Sequence, residues 1–356
     1  MYIWQRVWTP ELSVSIGNWS KKLSGLKILS GYFERGKYKS VDIKWNEIPK
    51  KTNLTLVFRI NGVKLPALDE ISALINKQIS KAKQNSHHID YIEIDFDSPT
   101  SKLDVYQKWL SQLKNQLSNK IKISITALPT WQHSEKLNGL LSVVDHYVLQ
   151  VHSVDSPEQG LVDFAGAVSS VIYFSENYNK PFVVSLPNYW YRAALDNNNN
   201  IKAILAESQL IDSPGLRQIF AEPAQLLNLK LDIEKMQLKN LMGWVWFRMP
   251  TSNDKQIFAE VTMNKLIVDQ MQWSLIPINL QFSPVNPEIE TSNYDIYIEN
   301  KSSIEQVIST TLEIPKECEA QHLTKDFEFE NNQIKAKYQT LFRANETLRI
   351  GWMVCN

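Results

Sequence analysis

The sequence predicts an α/β chain: a (β/α)8 TIM-type barrel followed by a small antiparallel β-sandwich. Three observations predict it. Eight short β-branched or aromatic runs alternate with helix-spaced apolar patterns over about 270 residues. No Gly-rich phosphate turn follows the first run, where Gly17 stands alone, so a doubly wound open sheet is disfavoured. After about Gln272 the helical spacing gives way to short strands separated by Asn, Pro, Lys and Ser. A chain of 356 residues accommodates both parts, and the expected domains are 1–271 and 272–356.

The eight expected strands are Tyr2–Trp8, Leu26–Phe33, Leu54–Asn61, Tyr91–Asp97, Lys122–Leu128, His146–His152, Phe182–Pro187 and Met242–Met249. Between the third and fourth, a helix opens near Leu65 and runs to about Gln84, with Ile71, Leu74, Ile75 and Ile79 on one face. Ser98-Pro99-Thr100 caps the next helix, where Leu103, Tyr106, Leu110, Leu113 and Leu117 recur at helical spacing. Ser134–Val143, Ser156–Asn177 and Ser252–Asp269 are the remaining helical patterns around the ring. Two stretches depart from the ideal. Lys37–Trp45 reads as an extra extended piece, and the long seventh-to-eighth connection holds Asn197–Asn200 and a helical pattern near Leu226–Met236. A connection that long is expected to be a lid or wall over the mouth. The sandwich strands expected are Leu275–Phe282, Tyr294–Glu299, Val307–Glu313, Phe327–Phe329, Ile334–Tyr338 and Thr347–Met353. Trp273 and Leu275 follow the last barrel helix with no Gly/Ser linker, so the sandwich is expected to pack on the barrel.

Composition removes several functions. Lys plus Arg and Asp plus Glu each number 38, so the basic excess that nucleic acid or an anionic membrane requires is missing. No apolar run reaches the roughly 18 residues of a membrane span. No metal-ligand spacing, Gly-x-Ser-x-Gly or P-loop occurs, so neither metal nor cofactor is expected. The two cysteines, Cys318 and Cys355, fit either one bridge in an oxidising compartment or two buried thiols. A strand directly after Met1 reads as a chain whose leader has been removed.

The chemistry is expected at the C-terminal ends of the barrel strands. In the fourth strand, alternation sets Ile92, Ile94 and Phe96 against Glu93, Asp95 and Asp97. The apolar set must meet the helices, so the three acids point inward and climb toward the mouth. Neighbouring buried carboxyls raise one another's proton affinity, and a protonated carboxyl is the general acid that glycosidic cleavage needs. Asp97 is the expected acid, Asp95 its tuner, Glu93 the deeper member, and Glu34 a candidate second carboxylate. The sequence also holds 11 Trp. Trp4, Trp8, Trp131, Trp190, Trp244 and Trp246 lie in or just past barrel strands, where indole faces suit sugar C–H surfaces. Arg6, Arg59, Asn61, His133, Gln150, His152, Asn188, Tyr189 and Arg248 supply polar partners. An isolated His is more often structural, and any single Trp more often core.

Ile94-Asp95-Phe96-Asp97-Ser98-Pro99-Thr100, Ile125-Thr126-Ala127-Leu128-Pro129-Thr130-Trp131, Val148-Leu149-Gln150-Val151-His152 and the opening Trp4-Gln5-Arg6-Val7-Trp8 resemble the bacterial family called domain of unknown function 3142, over roughly residues 2–270. That resemblance implies a bacterial protein in exported or lipid-anchored form and carries no established activity. More loosely, the chain resembles the chitinase-like barrels of glycosidase family 18. Glu93, Asp95 and Asp97 match the spacing of their acidic fourth strand, and Trp246 matches their eighth-strand Trp. Two departures stand out: the last acid is Asp97 instead of Glu, and Leu56-Val57-Phe58-Arg59 replaces a Ser-x-Gly-Gly signature. The substrate-assisted mechanism of those enzymes is therefore not carried over.

The expected function is a glycoside hydrolase-like protein acting on an oligo- or polysaccharide, as a monomer in the bacterial envelope or secreted, with the cytoplasm as the alternative location. The alternatives are a non-catalytic glycan-binding barrel and a cell-envelope interaction protein.

Overall fold

The structure, a computed structural model, describes residues 1–118, 120–153, 160–196, 201–205, 216–268, 278–286, 292–308, 311–324 and 326–356. The chain divides into two compact units. One comprises Met1–Ser153, Val162–Pro187 and Asp232–Lys255; the other comprises Val154–Leu161, Asn188–Leu231 and Gln256–Asn356.

Along the chain run β1 (Tyr2–Ile3), β2 (Leu26–Glu34), β3 (Lys37–Ser40), β4 (Leu54–Ile60), β5 (Ile89–Phe96), β6 (Lys122–Ala127), β7 (His146–Gln150) and β8 (Phe182–Pro187). Three short strands follow, β9 (Tyr191–Leu195), β10 (Ile201–Leu205) and β11 (Arg217–Ile219), and then β12 (Leu241–Phe247). The helices are α1 (Pro10–Trp19), α2 (Leu68–Gln84), α3 (Leu103–Gln116), α4 (Leu137–Ser142), α5 (Phe164–Asn177), α6 (Pro223–Lys235) and α7 (Glu260–Ile267).

In the first unit, eight parallel strands pair in the order β1-β2-β4-β5-β6-β7-β8-β12. The ends of this sheet approach each other. The Met249 amide donates to the Tyr2 carbonyl at 2.7 Å, and the Gln5 side-chain amide donates to the Met249 carbonyl at 2.8 Å. The sheet is thus a nearly closed barrel. Covered on both faces, its strands are almost continuously buried, as in β4 and β6. Tyr2, Val57, Val148 and Val245 fill the interior, with Trp4, Val183 and Phe247 packed on them.

Several boundaries differ from the sequence reading. The first strand stops at Ile3 because Gln5 turns the chain, its side-chain oxygen accepting the Trp4 amide at 3.1 Å. The unforeseen helix α1 follows. Thr9 caps it, Pro10 occupies its first turn, and Leu12, Ile16 and Trp19 are buried at helical spacing. The extended piece after the second strand is β3, antiparallel to β2, followed by a 3-10 turn at Trp45–Glu47. Of the expected Ser156–Asn177 helix, α5 starts at Phe164 under an Asp163 cap, while Ser156 lies outside the described residues. The expected Ser252–Asp269 helix is shortened to α7; Asp269, Trp273 and Leu275 also lie outside them.

In the second unit, β9, β10 and β11 form an antiparallel sheet in the order β10-β9-β11, and Asn197–Asn200 lie outside the described residues. Further on come β13 (Asn279–Pro284), β14 (Asn293–Glu299), β15 (Gln306–Ile308), β16 (Leu312–Glu313), β17 (Cys318–Leu323), β18 (Phe327–Glu330), β19 (Gln333–Ala336), β20 (Thr340–Phe342) and β21 (Thr347–Cys355). They make antiparallel sheets in the orders β13-β14-β21-β17, β15-β20 and β16-β19-β18 around a core of Ile296, Ile298, Phe342, Ile350 and Met353. β17 and β20 were not foreseen, and one expected strand divides into β15 and β16. Cys318 and Cys355 are register partners on β17 and β21 and form a disulfide, which decides between the two thiol readings. Glu305 is buried. It accepts the Ala259 amide at 2.7 Å and the Thr262 hydroxyl, satisfying donors at the start of α7.

Candidate active site

Glu93 and Asp95 of β5 and Asp97 just after it stand at three heights. Glu93 is fully buried. It accepts from the Tyr2 hydroxyl at 2.5 Å, the Lys27 ammonium at 2.5 Å and the Ser124 hydroxyl at 3.3 Å. Tyr2 is on β1, and β1 and β5 are separated by two strands in the sheet. Their side chains meet only across the lumen, so Glu93 faces inward as alternation requires. Lys27 compensates its charge, which makes Glu93 part of the barrel floor. Burial, and then the Glu93 contact, push the Tyr2 phenol well above its ordinary value.

Asp95 sits one layer higher, and Asp97 higher still. A single guanidinium holds both: Arg59 Nη1 is 2.8 Å from Asp95 Oδ1, and Nη2 is 2.5 Å from Asp97 Oδ2. Arg59 Nε donates to Asn61 Oδ1 at 3.2 Å, which fixes the plane of the fork. The Asp95 side chain is 8% exposed and that of Asp97 43%. Burial raises the Asp95 carboxyl, Arg59 pulls it back, and Asp97 and Glu93 push it up again; the balance stands at about 6 against an ordinary 3.8. Burial works against the charge on Arg59, but the two aspartates hold it more firmly protonated than usual. The carboxyl that its surroundings move toward protonation is therefore Asp95, whereas Asp97 is the one open to solvent.

The interior wall is aromatic: it keeps Trp4 of the expected residues and adds Tyr2 and Phe247. Trp4 and Phe247 are half-buried with centroids 4.9 Å apart, and Tyr2 packs edge-on against both at 5.8 and 5.6 Å. On β12, Val245 and Phe247 face the lumen, so Trp246 points the other way and is buried. The expected Trp246 therefore does not line the lumen, and its neighbour Phe247 does. Trp244 also lies outside the lumen and donates its indole N–H to Glu234 of α6 at 2.6 Å. Trp131 is fully buried and donates to the Ser98 carbonyl at 3.0 Å, tying the loops after β5 and β6 together; no ring face is left for a ligand. Trp8 is buried, and its indole N–H has no partner among the described residues.

His152 is buried against Phe247 at 5.8 Å, with Nδ1 at 3.3 Å from the Ser185 carbonyl. Burial lowers its value from 6.5 to about 4, so it is neutral near pH 7. Gln150 is half-buried and donates to the His152 carbonyl at 3.2 Å. His133 is exposed and packs edge-on against Tyr173 of α5, on the helix layer and away from the lumen. Arg248 is ion-paired to Asp254 at 2.5 Å. Glu34 ends β2 at the surface, paired with Lys39 at 2.6 Å, and that bond holds its carboxyl below the ordinary value. Asn188, Tyr189 and Trp190 belong to the second unit, where Trp190 stacks on Phe258 with centroids 6.1 Å apart.

The first unit thus brings together Asp95, Asp97, Arg59, Asn61, Trp4, Gln150 and His152. Sequence reasoning missed Tyr2, Lys27, Tyr32 and Phe247. Phe247 alternates with Trp246, but both faces of β12 are apolar, so the pattern does not say which one turns inward. Among the described residues, no group of three metal-ligating side chains occurs, and no helix is long and apolar enough to cross a membrane.

Solved structures share this fold at low sequence identity. The spore cortex-lytic enzyme SleL of Bacillus cereus superposes with a TM-score of 0.52 at 14% identity, covering 76% of this chain and 73% of its own. SleL of Bacillus megaterium gives 0.51 at 13%, covering 75% and 71%. No protein of curated function matches the sequence. The family described as domain of unknown function (DUF3142) matches residues 51–252, a narrower span than the motifs suggested but more than half of the chain, and the protein belongs to that family.

Proposed function

We propose that the protein is a glycoside hydrolase-like barrel that acts on a polysaccharide at the C-terminal ends of its parallel strands. The observation that carries this reading is the pair Asp95 and Asp97, one buried and one open, sharing Arg59 at the top of the strands. Asp97 is the carboxyl that meets the glycosidic oxygen. Asp95 stays protonated up to about pH 6, and its charge state sets the field at the Asp97 carboxyl. Asp97 gives a proton to the leaving sugar oxygen as its bond to the anomeric carbon breaks, water adds at that carbon and releases its proton to solvent, and Trp4 and Phe247 offer the apolar wall on which a pyranose face rests. The SleL enzymes, spore cortex-lytic by name, support a saccharide substrate by analogy of fold. The disulfide supports an exported protein. We take the 271/272 domain boundary and a sandwich-like C-terminal part as components of the same reading.

The test is hydrolysis of a glycan panel, including chitin and peptidoglycan, by the wild type, Asp97→Asn and Asp95→Asn. Product from the wild type and a loss of at least about 100-fold in each variant is the expected result. A correctly folded wild type that releases nothing from any glycan overturns the hydrolase reading. A second reading, glycan binding without turnover, is favoured by Arg59, which ties up both carboxylates. Binding that survives Asp97→Asn, with no product from the wild type, would select it.

A further inference from the structure

One side of the barrel mouth carries a basic feature that the acid pair does not use. β2 runs past its neighbours, and its residue Tyr32 is the register partner of Arg59 on β4 and of Lys39 on β3. The Arg6 guanidinium, on the loop after β1, lies over the Tyr32 ring at 4.3 Å, and Lys39 lies 5.6 Å from the same ring. Two cations thus lie against one half-buried tyrosine, and a third, Arg59, is its partner in register. Two are compensated: Arg59 by Asp95 and Asp97, and Lys39 by Glu34. Arg6 is exposed, and among the described residues it makes no ion pair and no hydrogen bond. Packing on the ring restrains its guanidinium, and exposure leaves N–H groups open to solvent. A guanidinium held this way can offer a carboxylate two parallel bonds. Arg6 helps to lower the Glu34 carboxyl through its field but has no carboxylate bonded to it, and an arginine so placed on the rim of a saccharide site is complementary to a sugar acid.

We infer that the mouth selects a saccharide bearing a carboxylate, read by Arg6 stacked on Tyr32. This rests on the glycan reading above and adds the substrate class to it. Arg6 contributes both orientation, through the paired bonds, and attraction, which added salt weakens.

The experiment is calorimetric titration of the full chain with tetragalacturonate and with neutral chitotetraose, for the wild type, Arg6→Gln and Arg6→Lys. Polyglutamate of similar charge serves as a competitor. We expect the uronate to bind the wild type about tenfold more tightly than the neutral sugar, a ratio that drops toward one in Arg6→Gln and is partly kept in Arg6→Lys. The preference should also shrink at about 0.5 M salt. Equal affinity for the two saccharides, or a ratio unchanged in Arg6→Gln, overturns the inference. So does polyglutamate competing as well as free uronate, which reduces the effect to polyanion attraction. Binding of chitotetraose alone overturns only the acidic selection. Binding of neither saccharide overturns that selection and the glycan reading together.

Discussion

Arg59 on β4 and Asp95 on β5 are register partners on adjacent strands, and their side chains meet at 2.8 Å just below the mouth of the barrel. The contact keeps a carboxyl ionisable at a depth where burial alone would hold it neutral. It also occupies the donors that a substrate would otherwise engage. Stability, pH response and ligand access at this mouth are therefore linked through one side chain.

Asp95 makes the stability of the fold pH-dependent in a definite direction. Its folded value of about 6 exceeds the ordinary 3.8. Its protonation therefore stabilises the native state fully below 3.8, and the contribution is lost as pH rises through about 6. Between pH 4 and pH 7 this amounts to about 2–3 kcal/mol. His152 works in the opposite sense: lowered from 6.5 to about 4, it contributes above 6.5 and loses that contribution as pH falls through about 4. Urea denaturation at the two pH values should therefore give Asp95→Asn a change in stability more favourable toward pH 7 than the wild type by about 2–3 kcal/mol. Parallel profiles would contradict the assignment.

Removing the guanidinium strands a buried carboxylate. Arg59→Gln should cost about 3–5 kcal/mol near pH 7, and distinctly less near pH 4, where Asp95 takes up a proton instead. Denaturation curves at the two pH values check this, and a loss independent of pH would place the cost in packing, not in charge.

If hydrolysis is found, its rate should decline as pH rises past about 6, because the Asp95 proton is then lost and the field at the site changes. The alkaline limb of a pH–rate profile measures this. A limb that stays in place in a residually active Asp95→Asn would assign the proton elsewhere.

Trp246 and Phe247 are neighbours in sequence but should separate in effect. Trp246→Ala should destabilise the barrel by about 3–5 kcal/mol, as expected for a buried indole, while glycan affinity in the folded fraction is kept. Phe247→Ala and Trp4→Ala should weaken glycan binding by about tenfold through loss of the aromatic wall. Thermal unfolding and titration calorimetry distinguish the two classes.

The disulfide closes a sequence separation of 37 residues and joins β17 to β21. Replacing both cysteines by Ser should cost about 2–4 kcal/mol, most of it in the second unit. Calorimetry with and without reductant reads this as a lowered transition in the reduced protein, and an unchanged transition would show that the sheet holds without its bridge.

The sequence by itself determined the strand–helix alternation, the inward-facing acids of the fourth strand, the β-rich C-terminal part and the family. Each of these follows from local periodicity, since alternation along β5 assigns Glu93, Asp95 and Asp97 to one face wherever the strand lies. It also held the Thr9-Pro10 signal of α1, which was legible but overlooked. Only the tertiary structure decided which charges neutralise which. Lys27 meets Glu93 and Arg59 meets Asp95 because parallel strands bring together residues 66 and 36 apart in the chain. It also decided that Phe247 lines the lumen and Trp246 does not, since a strand covered on both faces is apolar on both. Pairing across a barrel depends on register and closure, and neither has a local signature in the chain.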